Sequence, residues 1–84
     1  MERYKTQAKK FLSDYALKTR KRKGLSQEKF ASQLGITSRA YGDLERGKYC
    51  FSTITLLFLL VMLEDAEIRE LLDDFLKLIA SEET

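Results

Sequence analysis

Apolar and near-apolar residues recur at Tyr4, Ala8, Phe11, Leu12, Tyr15, Ala16 and Thr19. Spacings of i, i+4, i+7, i+8, i+11, i+12 and i+15 draw one stripe along a helix, so a first helix is predicted from Tyr4 to about Arg22, ended by Gly24. The next stretch, LSQEKFASQLGITSRAYGDLERGK (Leu25 to Lys48), carries the same start signal twice. Ser26 is placed to cap a helix, with Glu28 near its positive end and Leu25 and Phe30 at the two positions of a hydrophobic staple. Gly35 stops that helix in a left-handed turn. Ile36, Thr37 and Tyr41 then repeat staple, cap and staple, which predicts a second short helix leaving the first at a steep angle. Phe51 and Leu56 flank a Ser52 cap in the same way and open a helix to about Leu63. A last helix, from about Asp65 to Ala80, has Ile68, Leu71, Leu72, Phe75, Leu76 and Ile79 on one stripe. The β-branched residues of STIT (52–55) also suit a strand, but no second strand is visible to pair with it. The chain therefore reads as all-α, a single five-helix domain over residues 1–84 with paired short helices at 26–46.

At about 100° per residue, Ala40, Tyr41 and Leu44 fall on one side of the third helix. Ser38, Arg39, Gly42, Asp43 and Arg46 fall on the other, making a slim polar face. Charge gives that face a context. Residues 1–48 hold thirteen Lys and Arg against five acids, a net +8, whereas 49–84 hold two against eight, a net −6. The basic half is the candidate surface for a polyanion.

Composition narrows the chemistry. One cysteine, Cys50, allows no internal disulfide or cysteine zinc site, and the lack of histidine removes the commonest general base and metal ligand. Asp73 and Asp74 are sequence neighbours on a solvated face without a companion base, and Glu64, Asp65 and Glu67 read as helix-start charge. Cys50 and Met62 read as packing residues. The start of the chain lacks the apolar core of a signal peptide, and the longest apolar run, Leu56 to Leu63, falls far short of the ~20 residues of a membrane span. The expectation is a reduced, cytoplasmic, non-enzymatic protein without metal or cofactor and without a membrane partner.

The paired helices resemble the helix-turn-helix of the lambda-repressor-like, Xre-type DNA-binding domains. The likeness rests on GLSQEKFASQLGI, on Ala31 facing the turn and Gly35 in it, on Phe30, Leu34, Ile36, Tyr41 and Leu44 at packing positions, and on LERGK closing the second helix. With the order of five helices it covers about residues 12–72. It implies a compact DNA-binding domain whose third helix is the recognition helix in a major groove. By position, Ser38, Arg39 and Asp43 then face base edges: Arg39 suits guanine O6 and N7, Ser38 several bases, and Asp43 only a donor such as cytosine N4. Gln27 matches the family position that fixes the protein to a phosphate and braces the recognition helix. Ser26, Lys29, Arg46 and Lys48 are further candidates for phosphate contacts, because helix N-termini and cations both favour anions. Arg20 and Glu45 stand where the family has a partly buried ion pair, a structural role. Three residues depart from the family pattern: Tyr41 replaces an aliphatic residue, Gly42 weakens the helix, and Asp43 sets a negative charge toward phosphates. Gly42 has two readings, close approach to the DNA backbone or tolerated drift.

The fourth helix is more apolar than a small domain requires. Leu56, Leu59, Leu60 and Leu63 suffice for the core, leaving Ile54, Phe58 and Val61 on the opposite side at i, i+4 and i+7. Such a stripe marks an interface unless the first or last helix covers it. The family often dimerises through this region, which would set two recognition helices one DNA turn apart, ~34–36 Å. Two functions fit. One is a repressor that binds a palindromic duplex site as a homodimer. The other is a protein-interaction module, such as an antitoxin or antirepressor-like partner, built on the same fold.

Overall fold

Three side-chain caps set where the later helices begin. In the computed structural model, which describes residues 4–83, the chain forms α1 (Lys5–Lys23), α2 (Gln27–Leu34), α3 (Ser38–Glu45), α4 (Thr53–Val61) and α5 (Asp65–Glu83). There is no strand among the described residues, and the fold is all-α. Ser26 Oγ accepts the Lys29 N–H at 3.1 Å, Thr37 Oγ1 the Ala40 N–H at 3.0 Å, and Ser52 Oγ the Thr55 N–H at 3.1 Å. Each bond satisfies a donor that the first turn of a helix leaves without a partner. The Ser52 cap favours a helix start over a strand for the β-branched residues Thr53, Ile54 and Thr55. α4 ends at Val61, two residues before Leu63, and α5 runs on past Ala80.

Gly24 and Gly35 take the left-handed conformation, with φ of 69° and 76°, that a residue with a side chain adopts only with strain. Behind each, the chain closes the helix with paired backbone bonds: Gly35 N–H to Ser32 O and Ile36 N–H to Ala31 O, both 3.1 Å. This turn, residues 35–37, folds α3 back onto α2.

The core shared by the helix pair holds Phe30, Ala31, Leu34 and Tyr41, joined by Ala16 of α1 and Leu59 of α4. Leu25, Ile36, Phe51, Leu56 and Met62 close over it. Phe30 and Tyr41 meet edge to face, 5.2 Å between ring centroids. A second cluster of Tyr15, Leu63 and Leu71 anchors α5, backed by Phe11, Leu60 and Ile68. The Tyr15 hydroxyl donates to Glu67 O at 3.1 Å, and the Glu67 carboxylate pairs with Arg22 at 2.6 Å while accepting the Glu64 N–H at 2.9 Å. Glu67 thus begins α5 and ties it to α1, the helix-start use of charge expected from its position.

Five residues are placed differently from the sequence expectation. Ala40, expected inside, is exposed, and Gly42, expected outside, is buried. The inner arc of α3 is centred on Tyr41 and runs toward Gly42 and Glu45, because hydrogen bonds at Glu45 draw that edge inward. Cys50, expected to pack, is exposed in the loop before α4. Leu72 and Leu76 of the α5 stripe are exposed as well, since α5 meets α1 along its Ile68, Leu71 and Phe75 edge.

Thr19 is fully buried and its hydroxyl has no hydrogen-bond partner. Thr19→Val keeps the shape and removes that polar group, so it is expected to stabilise the domain by about 1 kcal/mol. Thermal unfolding would register this as a rise of roughly 4–8 °C. An unchanged or lower midpoint would show that the hydroxyl is satisfied in solution.

Candidate nucleic-acid interface

α3 is held from behind by a single carboxylate. Glu45 accepts Arg20 Nε at 2.8 Å on Oε2 and Arg20 Nη2 at 3.2 Å on Oε1. Gln27 Nε2 donates to Oε1 at 2.7 Å, and the Tyr41 hydroxyl to Oε2 at 2.6 Å. Arg20 also donates through Nη1 to Leu25 O at 2.9 Å, inside the turn between α1 and α2. One acid therefore joins the end of α1, the start of α2 and the C-terminal turn of α3. The forked Arg20–Glu45 geometry is the strong form of such a pair.

The electrostatics follow from burial and donors together. Burial alone would raise the Glu45 pKa, but the bonds from Arg20, Tyr41 and Gln27 and the Arg20 charge outweigh it and hold the acid below its ordinary 4.5. Burial, reinforced by donation to a carboxylate, pushes the Tyr41 phenol far above its usual range. Hydrogen bonding to Glu45 raises Arg20, so this pair stays charged at any neutral pH. Tyr41, a departure from the family pattern, thus uses its ring for the core and its hydroxyl for the acid.

Arg39 is exposed on the outer side of α3, and Ser38, on the same side as Glu45 but about two turns earlier, is exposed at the N-terminal end of the helix. Asp43 is half-buried and paired with Arg46 on the next turn. Gln27 and Arg46 approach each other over Gly42: a Cβ there would lie 3.3 Å from Arg46 Nη1 and 3.9 Å from Gln27 Oε1. The start of α2 and the end of α3 therefore converge, bringing two of the residues proposed from sequence into one place. Ser26 has its oxygen committed to the α2 cap but keeps an O–H to donate. Lys29 and Lys48 are exposed, and Lys48 Nζ stands 5.4 Å from the ring centre of Tyr49. Tyr49, 56% exposed, follows that cation in the loop after α3.

The outer side of α4 is open. Ile54, Phe58 and Val61 are exposed, Val61 at 81%, so neither α1 nor α5 covers the stripe. Leu57, not singled out in the sequence, is exposed with them. A groove of about 290 Å³ between α1, α4 and α5 has an apolar lining that includes Leu12, Leu56, Leu60 and Leu72. Among the described residues no cluster of acids and cysteine could hold a metal ion, and no helix is long and apolar enough to cross a membrane.

A capped helix, a glycine turn and a second helix with a braced back and a polar front define a helix-turn-helix domain. Residues 17–64 match the helix-turn-helix family of Xre and lambda-repressor-like type, and the chain belongs to that family. The match runs from within α1 to the residue before α5 and so contains the whole Glu45 network. Neither a curated protein nor a solved structure matches the chain. The family is one of DNA-binding regulatory domains and not of enzymes.

The brace makes a pH-dependent contribution to stability. With its folded pKa lowered, Glu45 stabilises the protein above about 4.5, its ordinary value, and the contribution is lost as the pH falls through the folded value. Carboxyl NMR titration is expected to give Glu45 a midpoint below 4.5, and Glu45→Gln to flatten that part of the stability profile. A midpoint at or above 4.5 would contradict the network.

Proposed function

We propose that the protein is a sequence-specific transcriptional repressor that inserts α3 into the major groove of double-stranded DNA and binds a palindromic site as a homodimer. The observation that carries this reading is the two-sided character of α3. Its Glu45 edge is fixed to α1 and α2, while Ser38 and Arg39 stand free where a recognition helix meets base edges. Arg39 forms two bonds to a guanine and Ser38 one to a neighbouring base. Ser26, Gln27, Lys29, Arg46 and Lys48 flank that face as phosphate contacts that set position without reading sequence.

The homodimer is assigned to the α4 surface of Ile54, Phe58 and Val61, which Leu57 extends. Each Å² of apolar surface covered there is worth about 25 cal/mol before the costs of association. The apolar groove between α1, α4 and α5 supports a second reading, a module that holds another protein by its apolar surface. The two differ in what happens on the α3 side, and DNA titration distinguishes them.

Arg39→Ala is expected to weaken the best site by about 1–3 kcal/mol and to relax preference at one position per half-site. Lys48→Ala should weaken every duplex alike and lower the salt slope by about one. Both would be titrated against a site selected from random DNA, its single-base variants and random duplex. Equal effects on every duplex would mean that Arg39 does not read sequence; no effect from either would favour the protein-partner reading.

Phe58→Glu is expected to give a folded monomer with weaker DNA binding, as measured by analytical ultracentrifugation and titration. A wild-type chain that sediments as a monomer at high micromolar concentration would contradict the dimer.

A further inference from the structure

A carboxylate on the front of α3 is repelled by phosphates, so Asp43 needs a reason to be there. Its Oδ1 accepts Arg46 Nη2, and its side chain is 15% exposed against 65% for Arg46. Most of the acid is therefore covered, while the guanidinium remains accessible. Next to it sits Gly42, a poor helix residue that is nevertheless buried in the interior of α3. A Cβ at Gly42 would stand 3.3 Å from Arg46 Nη1, a tight contact that the guanidinium could relieve only by moving a few tenths of an ångström, and 3.9 Å from Gln27 Oε1. The guanidinium thus lies against bare backbone, with an acid on one side and the start of α2 on the other.

We propose that Gly42 and Asp43 are positioning residues for Arg46. Gly42 leaves the space in which the guanidinium rests, and Asp43 holds it there, so that Arg46 meets a phosphate already oriented. The proposal rests on the DNA-binding reading above and gives Asp43 a role other than base contact. A guanidinium has five donors, and the bond to Asp43 uses one, leaving others for phosphate oxygens. A side chain held in place before binding loses less freedom when it binds. The pair also cancels the Asp43 charge on the face that approaches DNA.

The test uses the full chain with Gly42→Ala, Asp43→Ala and Arg46→Ala, singly and with each of the first two combined with the third. Each is titrated with the selected duplex, its single-base variants and random duplex at several salt concentrations. Gly42→Ala should raise the thermal midpoint, as alanine does inside a helix, yet weaken DNA binding by roughly two- to tenfold. A merely structural role for Gly42 would not move stability and affinity in opposite directions. Asp43→Ala should weaken all duplexes alike, although loss of a negative charge beside a polyanion would by itself tighten them. Arg46→Ala should lower the salt slope by about one, and neither other change should add to it.

The idea is overturned if Asp43→Ala tightens binding, changes preference at a single base pair, or keeps its full effect in the Arg46→Ala background. It is also overturned if Gly42→Ala binds as tightly as the wild type. Failure of the wild type to bind any duplex would sink the DNA reading instead. Relaxation of the Arg46 Nε–H, measured without DNA, then decides positioning alone: restricted in the wild type and mobile in Asp43→Ala supports it, mobile in both overturns it.

Discussion

The Glu45 carboxylate is the contact on which the presentation of α3 depends. It sits at the C-terminal end of that helix, where the backbone dipole disfavours a negative charge, and it is largely removed from water. Both penalties are offset only because four N–H and O–H donors from three side chains converge on it. Such a network is stable when complete and costly when broken, since removing one partner of a buried pair leaves the other charge uncompensated, at about 3–5 kcal/mol. Arg20, Gln27 and Tyr41 come from α1, α2 and α3, so the angle between the paired helices and their rotation are fixed together.

From that constraint the rest of the molecule divides into two sides. Rolling α3 so that Tyr41, Gly42 and Glu45 face inward leaves Arg39 free and puts the bare Gly42 edge against Arg46 and Gln27, while Ser38 is exposed by its place at the start of the helix. The opposite side is apolar. α4 contributes Leu59 to the main core and Leu60 to the second cluster, and its remaining face has nothing within the described chain to cover it. A chain of 84 residues cannot bury every large side chain it carries, and this one leaves exposed leucines on α4 and α5. The charge division has the same sense: the cation-rich half holds α1 to α3, and the acid-rich half holds α4 and α5.

The helices were legible in the sequence because their boundaries are local chemistry. Ser26, Thr37 and Ser52 each accept from an N–H three residues on, a relation visible in sequence as a polar residue before an apolar period. What the sequence could not supply is the rotation of each helix about its own axis. A wheel groups Ala40 with Tyr41 and Leu44, yet Ala40 is exposed, because the edge drawn inward is chosen by bonds between Glu45 and residues 18 and 25 positions away. For the same reason Gly42 is buried. Tyr41 departs from the family pattern, and its hydroxyl bond to Glu45 gives the departure a role that the sequence does not display. Leu72 and Leu76 share a stripe with buried residues, but only tertiary packing decides which edge of a wide stripe meets α1.

The central claim is that the braced α3 enters the major groove front first. Methylation interference on the selected duplex tests this most directly, because guanine N7 lies in the major groove and adenine N3 in the minor groove. The account expects that N7 methylation of guanines in each half-site blocks binding, while adenine N3 methylation at the same positions does not. Interference confined to adenine N3, or absent from both grooves, would contradict it.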